Sequence, residues 1–600
     1  MTICDAGLHM TESTPIIRFD SCDSGPFCRS WRFDGYLTTL STANPAEVAE
    51  LLATAEGMVA QGLYAAGFVS YEAAQGLNPH LPALPPAPGL PLIWFALYRE
   101  RYPCAAGEGL PSAAAEAMPV MPVMQATLSP DAHAQAVEAI HAAIARGESY
   151  QINFTFPLLG SYHGDPAALY ARMLQAQRPP FGALIDNGDW AILSASPELF
   201  FELQDDTITV RPMKGTAPRG RFPAEDSTLA LELCCSDKER AENLMIVDLL
   251  RNDLGQVAQT GSVQTALLFA LESYPTVHQL TSTITARRKA ATGLVDIFRA
   301  LFPCGSVTGA PKRRSMELIA GLEGTPRGVY CGAIGCLAPG GEAVFSVAIR
   351  TVLYERATAA LSMGVGSGIT WDARHAGEYS ECLAKAAFLQ QPPLPRLLES
   401  LLLDNGRYPR LERHLNRLCW SASRLGHRYE RPLIRQALLE FAAAHDGRRK
   451  VRLLLAPDGQ LELDAAPLKE LRQPLRLAVA STQVDPADQR LYLKTDQRER
   501  YQAAHAEHPQ ADEVLLVNLR GELTEGSFTN LVLRLDGRLV TPPLDSGLLP
   551  GLLREELLEQ GTLAEQVLYP ADLERAEEIW LINSIRGWLS AVLCKGEESS

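Results

Sequence analysis

Glu239 and Glu242 stand three residues apart in SDKERAENLMIVDLLRNDLG (Ser236–Gly255), and Glu378 and Glu381 repeat that spacing in HAGEYSECLAKAAFL. On a helix this separation puts both carboxylates on one face. Two such pairs suit a hard, oxygen-liganded cation such as Mg²⁺, which takes few protein carboxylates and completes its shell with substrate. The plain alternative is that Glu239 only caps its helix and the others are solvated, since E-x-x-E is a common spacing. Lys214, in RPMKGTAPRG, reads as a loop lysine just after a strand. A partly desolvated amine there loses proton affinity and serves as a base or nucleophile, whereas a lysine in a surface turn does neither. Glu198 in SASPELF is a candidate acid and His278 in YPTVHQLTSTI a candidate catalytic imidazole. Their plain readings are a solvated strand-end carboxylate and a satisfied structural histidine.

These residues need elements to hold them. Ser236 followed by Glu239 is a capping box that starts a helix, with Leu244, Val247 and Leu250 predicted to bury one side. A second helix starts at Ser129, with Pro130 at its first position, a Val137/Ile140/Ile144 stripe and Gly147 at its end. ESYQINFTFPLL, WAILSASPELFFEL and DTITVRPMKGT read as strands separated by turns, as do GFVSYEAA (Gly67–Ala74) and PLIWFALYRE (Pro91–Glu100). FPCGSVTGAPKRRSMELI is a Gly/Pro-rich loop running into a helix whose start could hold an anion. GVYCGAIGCL and AVFSVAIRTVLY are strands, the second ending in Arg350, and MGVGSGIT is a Gly-rich turn whose N–H groups can approach a carboxylate. The texture is α+β, with long antiparallel strands rather than βαβ alternation.

Six hundred residues exceed one core, so two or more domains are expected. A hydrophobic share of 46% with 21% charged residues is that of an ordinary soluble protein. The net charge of −16 argues against nucleic acid as a main partner. No apolar run approaches a membrane span, and the N-terminus lacks the basic-then-apolar order of a secretory leader. Twelve scattered cysteines form neither a disulfide framework nor zinc spacing, so the reducing cytoplasm is the expected compartment.

From Leu128 to Leu389 the ordered set GESYQINFT, SPELF, KGT, DKERAENLMIVDLLRNDLG, TVHQLTS, FPCGSVTGAPKRRSMELI, RGVYCGAIG, AIRT, GVGSGIT and GEYSECLAKA resembles the chorismate-utilising enzymes. The resemblance implies a large antiparallel α/β sandwich with a Mg²⁺-dependent chorismate site. It makes Glu239, Glu242, Glu378 and Glu381 the metal carboxylates, Glu242 and Glu381 being the direct ligands. It places Tyr330, Arg350 and the Gly366–Ser367–Gly368 turn on the substrate's carboxylates, Gly215 and Thr216 beside substrate, and His278 in the site. Anthranilate synthases are similar but carry alanine where Lys214 stands, so KGT resembles the branch that aminates chorismate at C4. In that branch's mechanism the lysine amine adds at C2 as the C4 hydroxyl leaves, Glu198 assists the departure, and ammonia then enters at C4 and expels the lysine. Salicylate and isochorismate synthases also carry a lysine nearby, so Lys214 excludes them less firmly. The ammonia implies a separate glutamine amidotransferase subunit.

QPPLPRLLESLLLD marks a linker, and the remainder of the chain resembles the class IV aminotransferase family of fold-type IV pyridoxal-phosphate (PLP) enzymes. RYPRLERHLNRLCWSASRLGH makes Arg417 the phosphate ligand and LYLKTDQRERY makes Lys494 the Schiff-base lysine. Glu525 falls where it would pair with the pyridine nitrogen, and SGLLPGLLREELLE puts the amides of Leu552 and Leu553 at a helix start that receives phosphate. Many relatives have a hydroxyl residue at Leu553. The plain readings are a solvated arginine, an ordinary lysine and a turn glutamate. The expected division is therefore 1–125 as the N-terminal part of the first domain, 126–389 as its catalytic part, 390–400 as linker and 401–600 as the PLP domain.

Among class IV activities, elimination of pyruvate from 4-amino-4-deoxychorismate is the one that consumes the first domain's product, and NSIRGW (Asn583–Trp588) resembles that type. The inference from fusion is associational. The reading is a bifunctional transferase and lyase of folate-precursor synthesis: chorismate and ammonia to aminodeoxychorismate, then to 4-aminobenzoate, Lys494 taking the C4 proton. Open beside it stand an anthranilate synthase-like first domain, a branched-chain or D-amino-acid transaminase as the second, and a second domain that only docks the amidotransferase. Fold-type IV domains usually dimerise, so a homodimer through this domain is expected.

Overall fold

The computed structural model describes residues 14–22, 29–111 and 121–594. The amino-terminal stretch that bears on a leader, residues 1–13, lies outside the described residues. The chain groups into two compact units, residues up to Ala217 with Leu231–Pro393, and Pro218–Ala230 with residues 394–600. No helix among the described residues is long and apolar enough to cross a membrane. The described cysteines are free thiols.

The first unit is built on long antiparallel pairings. Trp31–Thr42 pairs with Ile93–Pro103, Gln151–Ser161 with Ala360–Ile369, and Gln264–Ser273 with Val277–Arg287. Its largest core packs Phe95, Phe201, Phe298 and Phe345 under the helices Val48–Ala60, Asp237–Val257 and Leu294–Leu301. Phe201 stacks on Phe345 at 5.3 Å and meets Phe298 edge-on at 5.6 Å. Each such ring, fully buried, contributes roughly 1.5–3 kcal/mol from area alone.

Some sequence expectations shift here. Ser236 caps the helix Asp237–Val257, its hydroxyl accepting from Glu239 N–H at 3.3 Å, but the reciprocal half of the predicted capping box is not made, since Ser236 N–H donates to Leu233 O at 3.3 Å. Leu244, however, is 44% exposed, and the buried face runs through Asn243, Ile246, Val247 and Leu250. Val247 and Leu250 are buried as predicted, and Asn243, drawn inward by polar partners described below, takes the place expected of Leu244. The predicted strand Gly67–Ala74 ends at Val69 and turns into the short helices Tyr71–Ala73 and Ala74–Leu77. The buried Glu72 causes this, since its carboxylate accepts from the N–H groups of Arg327 (2.7 Å) and Gly328 (3.1 Å). Pro130–Ala145 is helical with Ser129 as its cap, as predicted.

The second unit has two sheets. Leu397–Asp404, Arg448–Leu455 and Leu461–Pro467 form an antiparallel three-stranded sheet packed on the helices Leu411–Leu425 and Arg431–Ala443. In the larger sheet Leu475–Val484 runs parallel to both Glu513–Asn518 and Gly587–Leu593. The strand Leu397–Asp404 begins inside the stretch read as linker, because Leu397, Leu401 and Leu403 are buried at period two. The grouping also departs from the contiguous boundaries in placing Pro218–Ala230 with the second unit.

Candidate functional site

Lys214 lies within the strand Met213–Pro218 rather than in a loop after one. Its carbonyl accepts from Asn243 Nδ2 at 3.0 Å, and Ser282 Oγ donates to Asn243 Oδ1 at 2.6 Å. Asn243 is fully buried, so this link fixes the strand against the helix that carries Glu239 and Glu242. The Lys214 ammonium stands 3.4 Å from Glu242 Oε2. Its charge also favours the ionised forms of Glu198, Glu239, Glu378 and Glu381. One lysine is thus set among five carboxylates drawn from three separate stretches of sequence.

Glu198 is 3% exposed. Desolvation lifts its carboxyl to about 7, opposed by the Ser306 hydroxyl, the Met213 N–H and Lys214. Its Oε1 has no hydrogen-bond partner among the described residues. A buried carboxyl that is half protonated near neutrality is suited to general acid work.

The four remaining carboxylates come as the two predicted pairs. Burial and then Glu242 raise Glu239, and burial raises Glu378 with Glu381 adding to it. Burial acts to raise Glu381 too, but Lys385, 2.8 Å away, brings it below the ordinary value. Among the described residues no group of three or more ligating side chains is assembled at metal-binding distance. The donor set still fits Mg²⁺, since two like-charged pairs with lifted members are what a divalent cation relieves.

Gly364, Gly366 and Gly368 lie at period two on the strand Ala360–Ile369, leaving one face bare over about 13 Å. A Cβ on Gly364 would stand 2.1 Å from the Tyr330 ring, and one on Gly368 would stand 2.9 Å from Lys214 Nζ. Tyr330 and Lys214 therefore border the two ends of a glycine-floored strip. Ser367 is buried beside Glu378. Arg350 adopts a left-handed φ of 51° and gives Nη1 to Gln177 Oε1. Among the described residues no carboxylate lies within ion-pair distance of it, which leaves its charge for an anionic ligand. Gly215, at φ +99°, lies against Glu239, and Thr216 Oγ1 accepts from Gln279 at 3.0 Å. His278 is buried, its Nδ1 2.9 Å from Ser273 Oγ.

In the second unit Lys494, Arg417, Glu525 and Leu552 line one cavity of about 580 Å³. Burial, then the Arg417 charge, brings the Lys494 amine down to about 8. Burial pushes Glu525 up to about 7 against the Tyr501 hydroxyl, which donates to Oε1 at 2.7 Å. The Arg417 fork is held on Glu399 by bonds of 2.8 and 2.7 Å, and its Nη1 donates to Pro550 O at 3.0 Å. That leaves two of its five N–H groups for a ligand beside the start of the helix Leu552–Glu559. Gly551 at this start has no room for a side chain, because Asn530 Oδ1 would lie 1.7 Å from its Cβ. Leu553 packs with Val532 and Ile582 in an apolar cluster. The set fits PLP: an amine of lowered basicity, an acid held for a ring nitrogen, and donors for a phosphate.

Sequence reading missed the residues that hold these groups. Glu399 is an acid at an inward position of LLESLLLD, and Asn243 a polar residue on a helix's apolar face; each irregularity was the available signal. It also missed the cavity cations Lys450 and Arg452, which come from unremarkable sequence, and gave no role to Arg490, Arg498, Arg500 and Arg586, of which Arg498, Arg500 and Arg586 lie inside motifs it had picked out. Lys450 and Arg452 share a strand face two residues apart, and burial together with Arg586, Arg498 and Arg452 lowers the Lys450 amine.

Comparison with known proteins places these features. The chorismate binding enzyme pattern matches residues 24–391, and the amino-transferase class IV pattern matches residues 396–594. Aminodeoxychorismate synthase component 1 of Klebsiella aerogenes is 42% identical over 44% of this chain and 57% of its own length. The protein of the same name from Salmonella typhimurium is 44% identical over 42% of this chain and 55% of its own length. The chain thus matches a little over half the length of these relatives. Anthranilate synthase component I from Streptococcus pneumoniae shares the fold of 62% of this chain and 93% of its own, with a TM-score of 0.55 at 24% identity.

Proposed function

The chain belongs to the chorismate binding enzyme family, and from that premise we propose that its first unit converts chorismate and ammonia to 4-amino-4-deoxychorismate and its second releases 4-aminobenzoate and pyruvate. The observation that carries the reading is Lys214, an amine set among five carboxylates where the C4-aminating branch has its nucleophile. The relatives called aminodeoxychorismate synthase component 1 support it. An anthranilate synthase-like first unit would leave the ion pair between Lys214 and Glu242 without a purpose.

In this reading chorismate lies along the glycine strip, its carboxylates met by Arg350 and the Gly366–Gly368 backbone, with Tyr330 at the far end and Gly215 and Thr216 near Lys214. Once the Lys214 ammonium has given a proton to the neighbouring Glu242, its amine forms a bond to C2 while the C4–O bond breaks, and Glu198 donates the proton with which the hydroxyl departs as water. Ammonia then bonds to C4, the C2–N bond breaks, and the lysine amine is regenerated. His278 completes the site. Glu239, Glu242, Glu378 and Glu381 would hold Mg²⁺, whose charge neutralises the substrate's carboxylate. The ammonia comes from a glutamine amidotransferase partner in the cytoplasm.

In the second unit Lys494 takes the C4 proton, the C3–O bond breaks, pyruvate leaves and the ring becomes aromatic. Bound PLP supplies the electron sink for that proton transfer. Arg417 and the amides at Leu552 and Leu553 would hold its phosphate, and Glu525 its ring nitrogen. The cavity chemistry favours a dicarboxylate over a branched-chain amino acid. Beside apolar lining such as Leu398, Leu471 and Ile582, the cavity carries Lys450, Arg452, Arg490, Arg498, Arg500 and Arg586, cations that a dicarboxylate would meet and a branched apolar side chain would not. A homodimer through this unit is part of the proposal. Purified chain with chorismate, Mg²⁺, ammonium and PLP is expected to yield 4-aminobenzoate; conversion to anthranilate, or none, would overturn the reading.

A further inference from the structure

The second unit contains a piece that its own stretch of sequence does not supply. Within Pro218–Ala230 the buried Arg219 closes on Asp226 through two bonds of 2.8 Å, and Gly220 N–H donates to the same carboxylate at 2.8 Å. Gly220 is required in this clasp, since a Cβ there would stand 2.1 Å from Asp226 N. The clasp sets the direction of Arg221 and Phe222. Arg221 is gripped by Glu225 at 2.8 Å and Asp545 at 2.7 Å, and its Nη1 donates to Pro486 O and Tyr492 Oη, both at 3.3 Å. Phe222 packs its ring on that of Tyr492 at 5.5 Å.

Tyr492 is fully buried and donates to Pro486 O at 2.9 Å, closing the short helical turn Gln489–Tyr492. Lys494 comes two residues later. On the other flank Leu398 N–H donates to Lys494 O at 2.8 Å, and Arg396 holds Asp496 at 2.8 Å. The backbone of Lys494 is therefore clamped from both sides. The upstream clamp consists of Tyr492 and what Pro218–Ala230 lays on it.

We propose that Arg221 and Phe222 are positioning residues for Lys494: by fixing Tyr492 they hold the lysine's backbone so that its amine stays recessed beside Arg417 and Glu525. The proposal rests on the reading of Lys494 as the PLP lysine. Removing either side chain frees the 486–494 turn while the downstream clamp and the cavity wall remain. A substituent that restores apolar contact, such as leucine at 222, keeps most of the effect.

The test is hydrogen–deuterium exchange on the full-length, cofactor-free chain, comparing segment 486–496 with the strand Glu513–Asn518 of the same unit. Arg221→Ala and Phe222→Ala are expected to raise the ratio of the two rates about fivefold or more, and Phe222→Leu to stay within about twofold of the parent. Titration with PLP, followed by its visible absorbance, is expected to show about tenfold weaker binding in the two alanine variants. An unchanged ratio overturns the proposal. So does an equal rise in both segments, which marks a role in whole-unit stability alone. If the parent chain gives no absorbance shift with PLP, the reading of Lys494 fails, and the exchange ratio still decides whether Arg221 and Phe222 order its backbone.

Discussion

Lys214 Nζ stands 2.9 Å from the place a side chain would occupy on Gly368. The absence of a side chain at residue 368 is what lets the amine reach the substrate strip. Gly368→Ala should leave the fold intact, because the atoms its methyl would meet are the ends of two flexible side chains, Lys214 and Gln151. It should move the amine by about 1 Å and slow aminodeoxychorismate formation by roughly 10²-fold. Steady-state rates with ammonia as nitrogen donor check this.

Glu198 and Lys494 give the two units opposite responses to pH. Glu198 acts as its protonated form, so the first step should weaken as pH rises through about 7. Lys494 acts as its neutral form, so pyruvate release from supplied aminodeoxychorismate should strengthen as pH rises through about 8. Glu198→Gln should remove the first limb and lower the rate by roughly 10²- to 10⁴-fold. It should also stabilise the chain at high pH. A carboxyl lifted from 4.5 to about 7 penalises the folded state once ionised. That penalty is absent below the unfolded value and complete above the folded one, about 3 kcal/mol at most. Thermal melts at pH 5 and pH 8 separate the two effects.

Glu399 holds both Arg417 and His414, the latter at 2.7 Å. Burial alone would raise its carboxyl, yet Arg417 and His414 hold it far below the usual range. Glu399→Gln leaves a desolvated guanidinium without its counter-charge, which costs about 3–5 kcal/mol. PLP binding by absorbance titration should weaken at least tenfold, with a lower melting temperature, while the first unit's rate stays within about twofold.

Chelation separates the units by a different route. EDTA should stop aminodeoxychorismate formation and spare pyruvate release, and Glu242→Gln should raise the Mg²⁺ concentration needed for half-maximal rate about tenfold or more. Both are read by following each reaction alone with its own substrate.

Much of the site could be read from the chain because its chemistry sits in dense local motifs. The two carboxylate pairs and Ser236 are set by spacing on a helix, and Lys494, Glu525 and Leu552 by motifs whose order survives folding. What escaped depends on partners distant in sequence. Leu244 looked buried because helical periodicity counts apolar residues, but Asn243 takes the inward place through bonds to Lys214 and Ser282. Gly67–Ala74 looked like a strand until Glu72 found the amides of Arg327 and Gly328, 255 and 256 residues away. Pro218–Ala230 gave no sign of its place in the second unit, because Arg221 and Phe222 find Tyr492 and Asp545 only in the fold.

The central claim is that two lysines act in turn on one carbocycle. It is tested most directly by the product profile, by chromatography, of the Lys214→Ala and Lys494→Ala chains given chorismate, ammonium, Mg²⁺ and PLP. The account expects Lys214→Ala to leave chorismate unconsumed and Lys494→Ala to accumulate 4-amino-4-deoxychorismate without 4-aminobenzoate. Release of 4-aminobenzoate by either variant at the parent's rate would contradict it.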